Sequence, residues 1–274
     1  MRRSLVILLC STFICQTTLA RDIFVNNAAG DDSRDGSGEA ITGTTIGPYK
    51  TIRRALSVAK KGDRVILAKT NLPYRESVTL QAGRNSGHPR LPFTLIGNGA
   101  TLDGRSPISS SAWEHHRGDV YRIRLSRKSH ARLFLDDQPV SLLRVRPSAG
   151  AIPNLQLKQS CLHRGYLYFR TEAGKSPSHY NLSLAALRVG ITLYEVRHVI
   201  IQDLVIIGFQ LDGVNAHDGV FDGVIVNVQS KHHGRAGFAV SGASRVRLIN
   251  CQSDAKLLQE KPARVSIVNS KLGS

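Results

Sequence analysis

The last third of the chain carries an internal repeat, and this repeat restricts the possible folds more than any other feature. Four segments each place an apolar residue two positions before a terminal Asp or Asn: residues 199–203, 223–227, 246–250 and 265–269. The terminal polar residues are 24, 23 and 19 positions apart, and Asp212-Gly213-Val214 recurs 24 residues later as Ala236-Gly237-Phe238. Such intervals are typical of one turn of a parallel β-solenoid. The alternative, four unrelated strands of a β-sandwich, would favour a spacing of about 8–12 residues.

Side-chain alternation within these segments predicts which residues enter the core. In residues 245–248, Val246 and Leu248 point inward and the two arginines outward, because successive side chains of a strand face opposite sides. The same phase buries further apolar residues: Val199, Ile201, Ile225, Val265 and Ile267. The terminal Asp or Asn then lies at a bend, where these residues tolerate a left-handed backbone and stacked amides can bond to one another.

The N-terminal part of the chain fits the same architecture. Residues 22–26 read as a strand and residues 65–67 as the next one, with a polar loop at residues 30–47 between them. Thr51 then caps a short amphipathic helix whose apolar face contains Ile52, Ala55, Leu56 and Ala59. We expect this helix to cover the first open edge of the repeat, which an uncapped solenoid would expose.

A resemblance to a known family becomes specific here. It is carried by residues 24–26, 30–32, Gly36, Pro48, 50–52, 55–56, Ala59, 62–63, 66–67 and 74–76, which read Phe-Val-Asn, Gly-Asp-Asp, Gly, Pro, Lys-Thr-Ile, Ala-Leu, Ala, Gly-Asp, Ile-Leu and Tyr-Arg-Glu. This run resembles the opening of secreted right-handed parallel β-helix proteins of the pectate-lyase-like group, over residues 22–104 and, by repeat pattern, 190–274. The resemblance implies an all-β, right-handed parallel β-helix (solenoid) with an N-terminal capping helix. That fold hosts lyases, hydrolases, epimerases and non-catalytic surface proteins.

These patterns predict that the chain is divided into four segments. Residues 1–20 read as a removable signal peptide, with a basic start, an apolar stretch too short to span a membrane, and small residues at its exit. Residues 21–104 form the cap and first turns, 105–188 a β-rich insertion, and 189–274 the repeat turns. Within the insertion we expect strands at residues 120–125, 133–135, 142–145 and 165–170. Residues 256–261 replace the strand that the period predicts near residue 260.

Net charge limits the classes of binding partner, and cysteine content limits the disulfides that the chain can form. The chain carries a formal charge of +17, which suits a polyanion such as an acidic polysaccharide, although a solvated basic surface is the alternative. We expect no nucleic acid, because no stripe of mixed aromatic and basic residues occurs. Location is predicted as secreted, periplasmic or at the cell surface. Cys161 and Cys251 are too few for a disulfide framework, which leaves two buried thiols or one disulfide.

Elimination on a uronic-acid polymer defines what a catalytic cluster must contain. A base must take the C5 proton, and a cation must neutralise the neighbouring carboxylate. The basic run at residues 231–235 offers Lys231 and Arg235 for these two roles, with His233 as a substrate-binding residue. Allowing for the period, Asp212, a further substrate-binding candidate, lies beside Arg235 on the turn before, and Asp254 beside Lys231 on the turn after. The alternative is a solvated loop with two surface ion pairs.

A second cluster lies on the preceding turn. Val214 and Ala216 should point inward, so Asn215 and His217 point outward. His217 could act as a base with Asp218 as its partner, and Asn215 could bind substrate; the alternative is a plain turn, since Asp-Gly pairs follow. The two clusters need not form one site, because six residues separate Arg235 from the position facing His217.

The insertion and the N-terminal loop hold weaker candidates. Arg122 and Arg124 belong to the densest basic stretch, residues 115–132, and either extend a polyanion-binding groove or form the wet face of a strand. The aromatic residues Trp113, Tyr166 and Tyr168 could stack on sugars or belong to the core. Asp31 and Asp35 follow part of a calcium-loop pattern, although Thr42 stands where the bidentate Glu should be. Calcium is the one cofactor these residues suggest, and a plain turn is the alternative.

Two classes of function fit these features. The first is an exported carbohydrate-active β-helix protein that binds an acidic polysaccharide and cleaves it by a lyase-type elimination. A glycoside hydrolase, which would need two carboxylates flanking the bond, is the other enzymatic option. The second is a non-catalytic glycan-binding or envelope structural β-helix protein, including the case of a shortened, inactive relative.

Overall fold

The computed structural model describes residues 20–126, 130–146 and 148–273, and the chain is all-β with long parallel sheets. The predicted signal peptide lies, except for Ala20, outside the described residues, as do Arg127 and Lys128 of the basic stretch. No helix within the described ranges is long and apolar enough to cross a membrane.

The N-terminal part contributes four strands and the one α-helix of the described residues. These elements are β1 (Asp22–Val25), α1 (Ile52–Val58), β2 (Arg64–Leu67), β3 (Val78–Gln81) and β4 (Phe93–Asp103). The Thr51 side chain accepts a hydrogen bond from the backbone N–H of Arg54 at 3.1 Å, and Ile52, Ala55 and Leu56 are buried. The predicted cap and apolar face of this helix are therefore confirmed.

Residues 105–188 fold into two smaller, largely antiparallel sheets. Their strands are β5 (Arg105–Pro107), β6 (Glu114–Arg117), β7 (Val120–Arg124), β8 (Leu133–Leu135), β9 (Gln138–Pro139), β10 (Leu142–Leu143), β11 (Ser160–His163), β12 (Tyr166–Arg170) and β13 (Leu182–Ala185). One sheet has the order β10-β11-β12-β7-β6 and the other β5-β13-β8-β9. The four predicted strands are present, but the one expected at residues 142–145 is only two residues long.

The last third of the chain supplies the stacked strands. They are β14 (Ile191–Tyr194), β15 (Arg197–Ile207), β16 (Asp212–His217), β17 (Phe221–Val226), β18 (Gln229–Lys231), β19 (Ala236–Val240), β20 (Arg245–Ile249), β21 (Gln252–Ser253), β22 (Leu258–Gln259) and β23 (Arg264–Val268). Sheet A has the parallel order β1-β2-β4-β15-β17-β20-β23, with β18 and β21 attached to it, and sheet B the parallel order β22-β19-β16-β14-β3. Because β22 pairs with β19, the period continues through the segment in which we expected it to break.

The register of sheet A reproduces the predicted intervals. Ile201 pairs with Ile225, Ile225 with Leu248, and Leu248 with Ile267. Sheet B agrees, since Val214 pairs with Phe238. Residues 24, 23 and 19 positions apart are therefore neighbours on successive strands, each about 4.8 Å from the next. We call each such repeat a rung.

The predicted bends between strands are present and form a column. Asp203, Asn227, Asn250 and Asn269 have φ values of 58°, 53°, 53° and 46°, which is the left-handed region. The Asn227 side-chain amide donates to the Asp203 carboxylate at 3.0 Å, so the polar side chains of these two rungs bond to each other. Asn98, with φ of 52°, takes the same conformation one rung earlier, and sequence analysis missed it.

The core follows the predicted phase except at the last rung. Val199, Ile201, Ile225 and Leu248 are buried, whereas Ile267 is 50% exposed. Burial of Ile267 was therefore a wrong prediction. Its physical reason is that, among the described residues, no strand pairs with the far edge of β23.

The two cysteines are buried, unpaired thiols in different clusters. Cys251 belongs to the core between the parallel sheets, and Cys161 to a small core of the insertion. Burial raises the pKa of Cys161 to about 11, so its thiol stays protonated near neutral pH. Of the two alternatives, buried thiols rather than a disulfide are present.

Candidate functional site

The outer face of sheet B carries the second predicted cluster in the expected orientation. Val214 and Ala216 of β16 are buried, while Asn215 and His217 are partly exposed. His217 pairs in register with Tyr194 of β14, and their ring centroids are 5.1 Å apart. The strand alternation that buries the valine therefore places an imidazole and a phenol ring side by side on the surface.

His217 and Asp218 form the predicted pair. The His217 Nδ1 lies 2.8 Å from Asp218 Oδ2. Asp218 has a φ of 55°, so the strand ends in a left-handed turn just after the histidine. A carboxylate that accepts a hydrogen bond from Nδ1–H favours the tautomer in which Nε2 holds a lone pair. This geometry leaves Nε2 as a base.

Tyr194 gives the same surface an aromatic ring that is 37% exposed. The neighbouring Glu195 carboxylate raises the pKa of the Tyr194 hydroxyl, and partial desolvation and Asp218 add to that effect. The hydroxyl is therefore neutral over the ordinary pH range and able to donate a hydrogen bond. Exposed tyrosines combine an apolar face with a polar tip, as stacking against a sugar ring requires.

Arg235 is anchored to Asp212, as the period predicted. The Arg235 Nε donates to Asp212 Oδ1 at 2.8 Å, and Nη2 donates to Oδ2 of the same carboxylate. The Asn215 amide also donates to Oδ2, at 2.8 Å. The Arg235 side chain is 33% exposed, whereas the Asp212 side chain is fully buried. The prediction of Asp212 as a substrate-binding residue was therefore wrong, because its carboxylate is used to hold Arg235 and Asn215. Hydrogen bonds with Asp212 raise the pKa of Arg235, which makes it a fixed cation and a poor base.

Arg235 of the first cluster and Asn215, His217 and Asp218 of the second cluster line one surface groove of about 290 Å³, which we call the sheet B groove. Its polar lining comprises Asn215, His217, Asp218, Arg235, Ser241 and Glu260. The sequence alone did not require the two clusters to form one site. Arg235 and His217 line the same groove because the carboxylate of Asp212 holds the Arg235 guanidinium beside Asn215, which lies on the same strand as His217.

Lys231 does not take part in this arrangement. Its Nζ contacts the Gln229 side chain at 3.4 Å, and it does not line the sheet B groove. The predicted partner Asp254 instead accepts hydrogen bonds from the backbone N–H of His232 at 3.0 Å and faces its Nδ1 at 2.9 Å. The left-handed backbone of His232, with φ of 62°, turns the chain directly after β18 and explains why the pairing moves by one residue.

His233 is buried rather than exposed to substrate. Its side chain accepts a hydrogen bond at Nδ1 from the Phe209 N–H, 3.1 Å away, and its Nε2 lies 3.0 Å from Ser230 Oγ. Burial lowers the pKa of His233 to about 3, so the ring is neutral. The prediction of His233 as a substrate-binding residue is corrected to an internal hydrogen-bonding role.

The basic face of the insertion is ordered by its own contacts. The Arg122 Nε donates to Glu114 Oε2 at 3.0 Å, and its guanidinium lies 4.5 Å from the centre of the Tyr166 ring. Arg124 is exposed and stands opposite Tyr166 in the register of β7 and β12. Trp113 packs against the insertion core, 6.1 Å from the Phe169 ring. Neither arginine lines the sheet B groove.

The candidate calcium loop is held by its own hydrogen bonds. Asp31 Oδ1 accepts from the backbone and hydroxyl of Ser33 at 2.9 and 2.7 Å. Asp35 accepts from the backbone and hydroxyl of Ser37 at 3.0 and 2.8 Å. These bonds lower the pKa of both carboxyls and are those of two successive turns. In the described part of the chain, no group of three His, Cys, Asp or Glu side chains is placed to hold a metal ion.

Sequence reasoning missed Tyr194 and Glu260. Tyr194 lies 23 positions before His217, so the repeat interval would have found it. Glu260 directly follows β22, in residues 256–261, where the polar composition prevented recognition of the repeat strand.

Comparison with known proteins gives distant likenesses. The complex of XylC with xylose matches with a TM-score of 0.48 and 12% identity, over 91% of this chain and 64% of that chain. The native GH136 lacto-N-biosidase from Eubacterium ramulus matches with a TM-score of 0.39 and 12% identity, over 91% of this chain and 41% of that chain. The chain thus spans less than two thirds of either structure. No family model and no curated protein matches the sequence.

Proposed function

We propose that the sheet B groove binds an acidic polysaccharide and cleaves it by elimination, with His217 as the base and Arg235 as the carboxylate-binding cation. The observation that carries this proposal is the meeting of the His217–Asp218 pair and the anchored Arg235 in one groove. These are the two elements that elimination next to a uronate carboxylate requires.

The roles follow from the contacts. His217 Nε2 takes the C5 proton, the C5–H electron pair forms the C4–C5 double bond, and the C4–O bond breaks. The departing oxygen then takes a proton from water. Arg235 would hold the uronate carboxylate, since a guanidinium that is already fixed by Asp212 loses little freedom on binding. Tyr194, beside His217, would stack on a neighbouring sugar ring.

Two further parts of the proposal concern the scaffold. We propose that the stacked rungs form a right-handed parallel β-helix of the pectate-lyase-like kind, supported by the register intervals and by the Asn column. We also propose that the protein is exported, on the strength of the sequence pattern in residues 1–20. Lys231 has no role in this proposal, because it lies outside the groove.

A panel of pectate, alginate and sulfated glycans, each with and without calcium, tests the activity. Elimination gives an unsaturated product that absorbs ultraviolet light. His217→Ala should lower its rate by about 100-fold or more, the usual contribution of a general base. His115→Ala is the matched control, since His115 is exposed on the insertion, where it contacts the Gly118 carbonyl and the Tyr121 ring. No absorbing product from any glycan would refute the elimination.

Hydrolysis is the second candidate, because two carboxylates, Asp218 and Glu260, line the same groove. It would release new reducing ends without ultraviolet absorbance, and Glu260→Gln would abolish them. Binding without either product would instead establish the non-catalytic glycan-binding alternative. The same panel therefore separates all three functions.

A further inference from the structure

A second surface, on the outer face of sheet A, concentrates arginines away from the sheet B groove. Arg245 of β20 and Arg264 of β23 are direct partners in neighbouring parallel strands. Arg247 follows on the same face of β20, and all three side chains are exposed. They line a groove of about 320 Å³ together with Asp222. We call Arg197, Arg245, Arg247 and Arg264 the arginine face.

Phe221 organises part of this surface. The guanidinium of Arg197 lies 4.8 Å from the centre of the Phe221 ring, and that of Arg245 lies 5.5 Å from it. Both distances are within the range of cation–π contacts. A contact of this kind restrains each arginine through its flat side, while the N–H groups at the guanidinium edge stay available to a ligand.

The charges of the arginine face are not neutralised by the protein. Among the described residues, none of its four arginines forms an ion pair, and Asp222 Oδ2 lies 3.4 Å from His198 Nδ1 instead. Like charges directly opposite each other on neighbouring strands destabilise a sheet. The fold therefore carries an unfavourable arrangement that a bound anion would relieve.

We propose that the arginine face binds an extended anionic polysaccharide, sulfated or carboxylated, and that it does so without catalysis. Its arginines lie on β15, β20 and β23, which span three strand spacings of sheet A, or about 14 Å. A single small anion cannot contact all of them, whereas a chain with repeated charges can. Nucleic acid fits less well, because the one aromatic ring here is covered by two arginines and offers no platform for a base.

Binding of dextran sulfate, measured by titration calorimetry with neutral dextran as the uncharged control, tests this proposal. The triple variant Arg245→Ser, Arg247→Ser, Arg264→Ser should bind at least ten-fold more weakly. The matched control removes three charges from the insertion, at Arg117, Arg122 and Arg124, and should change the affinity less than three-fold. Equal losses in both variants would show that only net charge matters and would overturn the proposal. So would tighter binding of single-stranded DNA than of dextran sulfate.

Two additional variants guard against misfolding and against confusion with the groove. Phe221→Leu keeps every charge and should still weaken dextran sulfate binding several-fold, because two guanidiniums lose their restraint; unchanged affinity would refute the role of Phe221. His217→Ala should leave dextran sulfate binding unchanged even if it abolishes cleavage. A parallel loss would place the polyanion in the sheet B groove instead.

Discussion

Arginine is used in opposite ways on the two parallel sheets. On sheet B, Arg235 is held by a fully buried carboxylate, Asp212, from the preceding rung. On sheet A, Arg245 stands opposite another arginine, Arg264, from the following rung. Stacked rungs bring equivalent positions within about 5 Å of each other, so an arginine lies either beside an opposite charge that fixes its position or beside a like charge that repels it. The comparison separates an arginine that is held in place within a groove from arginines that no neighbouring carboxylate pairs with.

The N-terminal end of sheet A shows that the fold permits internal neutralisation at the same kind of position. Arg64 of β2 stands opposite Asp22 of β1, and its guanidinium contacts that carboxylate at 2.6 Å through two hydrogen bonds. The arginine face therefore departs from a pairing that the same sheet uses elsewhere. Because Arg64 is paired with a carboxylate and Arg245 is not, we assign the unpaired positive charge of the arginine face to ligand binding.

The largest effect should come from breaking the buried pair. Arg235→Met leaves the Asp212 carboxylate buried without its cation, and we expect a loss of about 3–5 kcal/mol of unfolding free energy. The measurement is urea denaturation followed by circular dichroism. Arg64→Met, which breaks the exposed pair with Asp22, is the control and should lose less than about 1 kcal/mol. Similar losses in both variants would contradict the distinction drawn between buried and exposed pairs.

Acid should destabilise the folded protein through His233. Its pKa in the folded state, about 3, lies below the value of about 6.5 in an unfolded chain. The unfolded chain therefore takes up the proton first as the pH falls. The stabilisation is complete above about pH 6.5 and is lost towards pH 3, at up to about 1.4 kcal/mol per pH unit.

Urea denaturation at a series of pH values measures this slope. His233→Gln should have a shallower dependence of unfolding free energy on pH over that window, whatever its absolute stability. His115→Gln makes the same substitution at an exposed position of the insertion and is the matched control. An unchanged slope in His233→Gln would mean that other groups carry the acid sensitivity.

A smaller effect is expected from the column of bends along sheet A. Asn227→Ala removes the amide that bonds to Asp203 and places an alanine at a φ of 53°. We expect a loss of about 1 kcal/mol, since a left-handed backbone is unfavourable for L-residues other than Gly, Asn and Asp. Asn227→Gly loses the same hydrogen bond but tolerates the backbone, and thermal melting should place it between alanine and the unmodified protein. Equal melting temperatures for Ala and Gly would show that the bend conformation has no energetic weight.

The sequence predicted what depends on backbone periodicity. The rung intervals, the inward phase of Val214 and the contact between Arg235 and Asp212 all follow from counting along the repeat. Counting works here because stacked strands place equivalent residues side by side. It also could have found Tyr194 beside His217, had it been carried one rung earlier.

The sequence did not predict what depends on the turns between strands. Lys231, His232 and His233 are consecutive, yet they contact Gln229, Asp254 and the core respectively. His232 has a left-handed backbone conformation and turns the chain at this point. The repeat interval does not predict where such a residue occurs. The arginine face was missed for another reason: Arg245 and Arg247 were interpreted as outward residues of one strand, without comparing their charges with that of Arg264 on the next strand.

The smallest expected change in stability tests whether the arginines of the arginine face repel each other in the folded protein. Arg264→Glu places a carboxylate opposite Arg245, so the like-charged pair becomes an attractive one. We expect the unfolding free energy to rise by about 0.2–1 kcal/mol at low salt, and this gain to shrink as added salt screens the charges. Arg264→Gln removes the repulsion alone and should give a smaller gain.

The same two variants should bind dextran sulfate more weakly than the unmodified protein, and the loss of affinity should be larger for Arg264→Glu than for Arg264→Gln. The free energy of unfolding would then rise while the affinity for dextran sulfate falls. A general effect of net charge on a solvated surface would explain the loss of affinity but not the gain in stability. If Arg264→Glu destabilised the protein at low salt, Arg245 and Arg264 would not repel each other in the folded state. The arginine face would then lack the unneutralised charge from which its ligand was inferred.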